Sequence, residues 1–221
     1  MSTFDVSAYN DLPSIAAADA RFEDQLASAG LTRSQFFKKL APVFLEAPFA
    51  GHYAACLIHR HYSLNKGERM VTNGSSARPS HETSASIVGE RWASNGEVIE
   101  FKFTDDPASH APPPPAEFFA KFKSILDAHR IDILGVCYAP GKLADDYLFL
   151  ESPGPADREQ VTDLVHSSTS QSKHSFEASW IPNLSPDGGP CMVRCSNCTS
   201  GCDCSSYKVI RQVSKFGITG Y

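Results

Sequence analysis

The chain has 221 residues, 42% of them hydrophobic and 20% charged, a formal charge of −5 and no run of Lys and Arg. This is an ordinary globular balance. It argues against nucleic-acid partners, which need a concentrated basic surface to displace counterions from phosphates. No apolar stretch approaches the roughly 18 residues that span a bilayer as a helix. The start, MSTFDVSAYNDLPS, lacks the basic beginning and apolar core of a secretory signal. A cytoplasmic protein without a membrane partner is the expectation. In a reducing compartment, clustered cysteines hold metal or do redox chemistry more often than they build disulfides.

In chain order, SIAAADARFEDQLASAG places Ile15, Ala18, Phe22 and Leu26 at helical spacing, with Ser14 as cap and Gly30 as stop. TRSQFFKKLAPVFLEAP opens on a capping box, Thr32 to Gln35, and buries Phe36, Leu40, Val43 and Phe44. Pro42 should kink or split this helix, because its ring removes a donor and crowds the preceding turn. Farther on, ASIVGERWASNGEVIEFKF reads as two strands joined at Asn95-Gly96, a dipeptide suited to a tight hairpin. There Ile99, Phe101 and Phe103 alternate with Glu100 and Lys102, which predicts one solvated face. DDPASHAPPPP is a stiff connector over 107–115. The helix after it, AEFFAKFKSILDAHR, puts Phe118, Phe122 and Ile125 on one face, flanked by Phe119 and Leu126. IDILGVCY and YLFLE read as buried strands, ADREQVTDLVH as a short helix, and HSFEASWIP and YKVIRQV as strands. The order predicts a single α+β domain over 1–221, a mostly antiparallel sheet with helices packed on one side.

Five of the seven cysteines, Cys191, Cys195, Cys198, Cys202 and Cys204, fall within CMVRCSNCTSGCDCSS. With the last two strands placed as above, 182–206 becomes a long irregular connection with little apolar surface. Thiolates converging on an ion would supply the missing cohesion, so these five residues are the expected metal ligands. Cys195/Cys198 and Cys202/Cys204 make two short-spaced pairs for a tetrahedral site, with Cys191 a fifth thiol. Zinc is the first expectation, Cu(I) the second and an iron–sulfur cluster the third. CSNCTSGCDCSS resembles the small fungal-type copper metallothioneins, in which Cys-x-Cys and Cys-x-x-Cys alternate with Gly and Ser. That resemblance implies a preference for soft metals, Cu(I) included. CMVRCSNC shares the C-x3-C-x2-C spacing of the radical S-adenosylmethionine enzymes. Asn197 stands where those have an aromatic residue, and only 23 residues follow Cys198, so the family is rejected.

GHYAACLIHRHYSL supplies the other candidates, His52, Cys56, His59 and His61. As a helix, which is the preferred reading, it aligns His52, Cys56 and His59 on one face. As a strand it points His59 and His61 the same way. Either register offers a catalytic metal site or a Cys56–histidine nucleophile and base. A cysteine loop folded over this segment would make one mixed thiolate–imidazole centre. Glu90, Glu97 and Glu100 read as solvated strand carboxylates, Cys137 as a small core residue, and Trp92 and Trp180 as core anchors. The expected function is a metalloprotein whose cysteine-rich loop binds Zn or Cu(I), ordering a small-molecule site near His52 to His61. The alternatives are a non-catalytic Cu(I) handler and a Cys56-dependent enzyme.

Overall fold

The helical start forms as its caps dictate. In the computed structural model, which describes residues 4–83, 86–106, 111–139, 146–168, 175–184 and 189–199, helix α1 (Val6–Asn10) is capped by Asp5. Helix α2 (Ile15–Ser28) is capped by Ser14, whose hydroxyl accepts from the Ala17 amide, and Gly30 follows it at φ +67°. Helix α3 (Arg33–Leu45) carries both halves of the Thr32–Gln35 capping box. Pro42 does not split it. The proline sits in the last turn, where its missing N–H costs one bond and little helix remains to break.

After α3 the chain enters sheet. The ten strands are β1 (Tyr53–Leu57), β2 (Arg69–Asn73), β3 (Ser76–Ser80), β4 (Ile87–Trp92), β5 (Val98–Phe103), β6 (Leu134–Tyr138), β7 (Tyr147–Pro153), β8 (Gln160–His166), β9 (Ser175–Leu184) and β10 (Pro190–Thr199), with helix α4 (Ala116–His129) between β5 and β6. They close into one barrel in the order β1-β6-β4-β5-β2-β3-β8-β7-β10-β9. Most pairs are antiparallel; β2–β5 and β7–β10 are parallel.

This corrects the expected α+β fold, a mostly antiparallel sheet with helices packed on one side. The cause is visible in β1, buried at all five positions because it has two dry faces. Tyr53, Ala55 and Leu57 pack outward in the main core, while Ala54 and Cys56 pack in a second cluster with Cys137 and Cys195. A strand buried on both sides reads as a continuous apolar run, which periodicity cannot distinguish from a helix. The main core lies between the barrel wall and α2, α3 and α4, with Phe37 and Trp180 centred 4.8 Å apart.

Three further expectations are corrected. ADREQVTDLVH is not a helix: Gln160–His166 is β8, which pairs with β7 and with β3 and so helps close the ring. Residues 190–199 are not part of an irregular loop but strand β10, bonded to β9 and β7, so backbone pairing contributes to their order. Glu100, expected on a wet face, is only 5% exposed, while Ile99, Phe101 and Phe103 are partly exposed. The alternation was real, but the barrel turns the carboxylate inward. The hairpin at Asn95-Gly96 forms as expected, with Gly96 at φ +86°. Cys202, Cys204 and YKVIRQV lie outside the described residues, as do 107–110 of the proline connector. The rest of that connector is tied down by Tyr138 Oη donating to the Ala111 carbonyl (2.7 Å) and Tyr53 Oη to that of Pro112 (3.0 Å).

Gly135 on β6 shows how tightly the wall is built. A Cβ there would lie 2.2 Å from Ile58 Cδ1 and 2.3 Å from the Trp92 carbonyl oxygen. The carbonyl belongs to the neighbouring strand and cannot rotate away. Gly135→Ala is therefore expected to cost about 1–3 kcal/mol or more, the range for overpacking. A urea midpoint matching the parent protein would contradict this.

Candidate metal centre

Beyond β1 the chain stays extended for a few residues, the Ile58 amide donating to the Ile133 carbonyl at 2.8 Å. The period of two then turns His59 and His61 the same way. Their rings lie 4.6 Å apart, edge to face, and both are buried. Arg60 between them turns outward, its guanidinium donating to the Asn10 carbonyl and its amide to that of Pro13. Across the barrel, Glu151 on β7 and Cys198 on β10 are direct register partners. One nitrogen from each histidine, a Glu151 oxygen and the Cys198 sulfur all lie within 4.8 Å of one another, and all four residues are buried.

The surroundings fix how each donor is presented. His59 Nδ1 is 3.0 Å from the Leu57 carbonyl, which can only accept, so that nitrogen carries the proton and Nε2 keeps its lone pair. His61 Nε2 lies 3.2 Å from Glu100 Oε1, which directs its proton there and leaves Nδ1 as the donor atom. Nδ1 of His61 and Oε2 of Glu151 are buried with no hydrogen-bond partner among the described residues. Orphaned lone pairs in a dry interior are costly, and a cation satisfies them. Burial, then His59 and Arg91, hold the His61 imidazole well below its ordinary range, so it stays neutral and able to ligate.

Glu100 and Arg91 form the outer ring. Arg91 Nε sits 3.2 Å from Glu100 Oε2, its Nη2 contacts Glu151 Oε1, and Tyr9 Oη donates to Glu100 Oε1 at 3.4 Å. Burial pushes Glu100 up to about 7 despite Arg91. A carboxylate behind a ligating histidine orients the ring and raises its basicity. The charges also fit. With neutral histidines and Glu100 in its carboxylate form, Arg91, Glu100 and Glu151 leave one buried negative charge; a divalent ion together with the Cys198 thiolate would bring the group to neutrality.

Of the described residues expected to ligate or catalyse, His59, His61 and Cys198 come together and His52, Cys56, Cys191 and Cys195 do not join them; Cys202 and Cys204 lie outside the described residues. His52 is exposed ahead of β1 beside Tyr53, and Cys191 is half-buried at the start of β10 opposite Asn183. Cys195 hydrogen-bonds to the Ser179 hydroxyl at 3.0 Å. Cys56 lies among Ala54, Cys137 and Cys195, and the helical face joining it to His52 and His59 does not exist. Its hydrogen bond to Cys137 and its burial drive the thiol well above the ordinary range, the opposite of an activated nucleophile. Glu151 was not singled out from sequence, since YLFLE carries no sign that its last residue points inward. Trp92 and Trp180 are core anchors, each 2% exposed.

Two clefts among the described residues lie away from this group. One of about 500 Å³ lies between the Asn95-Gly96 turn and α4, and one of about 330 Å³ lies between Trp92, Tyr138 and the proline segment. No helix among the described residues is long and apolar enough to cross a membrane. No family model matches the chain, and neither a curated protein nor a solved structure matches it.

Proposed function

We propose that this protein is a metal-binding barrel in which one zinc ion, held by His59, His61, Glu151 and Cys198, ties β7 and β10 to the segment that follows β1. The observation that carries this reading is the convergence of four donor atoms within 4.8 Å, all in buried residues. Two neutral nitrogens, one carboxylate oxygen and one sulfur suit a borderline ion in tetrahedral coordination. Calcium and magnesium prefer all-oxygen sets. Four protein ligands without an exposed face make a closed, structural site; a catalytic zinc keeps a position open for water. The mixed thiolate–imidazole centre thus takes the place of an all-cysteine one.

Protein purified under reducing conditions is expected to carry one equivalent of zinc by elemental analysis. His61→Ala combined with Cys198→Ala should remove it, and Cys191→Ser should not. Cobalt substituted at the site should show a single thiolate charge-transfer contribution rather than the stronger one of several thiolates. Full zinc retention by the double variant would assign the ion to other cysteines and end this reading, as would zinc-free parent protein.

A further inference from the structure

The four-ligand centre leaves a second group of soft donors unused. Cys56 on β1, Cys137 on β6 and Cys195 on β10 come from three strands into one buried cluster with Ala54, and all are free thiols. Register explains the meeting. Across β1–β6, Ala54 faces Cys137 and Cys56 faces Gly135, so the two cysteines sit diagonally on one face and hydrogen-bond to each other. Cys56 is also the register partner of Ser179 on β9, whose hydroxyl lies 3.0 Å from the Cys195 sulfur. An irregularity in β10 between Arg194 and Ser196 falls at Cys195, which is 1% exposed. On the other side of β6, Arg91 is the register partner of Cys137.

A lone core thiol is simply a small apolar side chain. Three thiols in one cluster beside a guanidinium, two of them in contact, are a different arrangement. The geometry points to a Cu(I) site inside the barrel, with Cys56 and Cys137 as its two main ligands and Cys195 as the third thiol beside them. Soft thiolates select Cu(I), and this cluster offers no imidazole to favour zinc. Binding releases two protons: two thiols and one Cu(I) give a bis-thiolate complex of charge −1. Arg91, the register partner of Cys137, is the cation near that charge, and it is shared with Glu100 and Glu151.

The inference does not depend on the zinc reading, and its test keeps the two apart. The full chain carrying Cys191→Ser, Cys202→Ser and Cys204→Ser is loaded with zinc, then titrated anaerobically with Cu(I) against bicinchoninate. One equivalent of Cu(I) should bind, with the ultraviolet-excited emission of a copper–thiolate, while zinc content does not change. Adding Cys56→Ala or Cys137→Ala should abolish both emission and copper retention. Unaltered copper retention in these variants overturns the site, as does a parent that yields all its copper to the competitor. Should an alanine variant fail to fold, X-ray absorption of the copper-loaded parent decides: a shell of sulfur alone supports the site, and nitrogen in the shell overturns it. Copper binding that follows Cys56 and Cys137 in a protein without zinc would leave this inference standing and sink only the other.

Discussion

Chelation should lower the thermal midpoint of this barrel by about 8–16 °C. An ion present at a thousand times its dissociation constant stabilises the folded state by about 4 kcal/mol. For a chain of this size each kcal/mol shifts the midpoint by about 2–4 °C. The drop should stop short of unfolding at ambient temperature, because the helices and the outer wall have their own core around Phe22, Phe36, Phe37 and Trp180. In that respect the protein differs from a zinc finger, which has no fold without its metal. The apo form has specific weaknesses. His61 Nδ1 and Glu151 Oε2 lose a partner in a place water does not reach, and one buried negative charge is left over. Scanning calorimetry before and after treatment with a strong chelator, then after adding zinc back, measures the effect. A midpoint that does not respond to either treatment contradicts a structural ion.

The parts of this architecture legible in the sequence are those set by local rules. Both long N-terminal helices follow from caps and a period of 3.6, and the Asn95-Gly96 hairpin from turn chemistry. A second such signal, Asn73-Gly74, joins β2 to β3 with Gly74 at φ +62°, although the strand after it, SARPS, carries a proline and little apolar pattern. Closure of the barrel leaves no local mark. It depends on β8 meeting β3 and on β10 meeting β7, pairings between segments more than forty residues apart in the chain. Closure also decides which alternating face is interior, so alternation alone does not place Glu100 inside. The candidate site is legible to the same extent. Spacing alone places His59 and His61 together once β1 is a strand, and Cys198 stood out by cysteine density. Glu151 enters only through the parallel register of β7 with β10, which no local pattern announces.

Arg91 is where a single substitution should do the most damage. The guanidinium bridges Glu100 and Glu151, one carboxylate holding His61 and the other a proposed metal ligand. Arg91→Met keeps the bulk of the side chain but leaves both carboxylates buried without their cation. Removing one partner of a buried ionic group costs about 3–5 kcal/mol, because the remaining charge has been stripped of water and has nothing to face. Arg91→Lys should fall between the parent and Arg91→Met, since an ammonium is a point charge and cannot present the planar fork that spans two acceptors. Arg91→Met with Glu100→Gln should recover part of the loss by removing one of the stranded charges, and that recovery separates an electrostatic cost from a packing cost. Denaturant midpoints of the four proteins, read beside their zinc content, test the argument. If Arg91→Met lies within about 1 kcal/mol of the parent, the guanidinium does not hold this cluster together. If the glutamine brings no recovery, the loss at Arg91 is one of shape rather than charge.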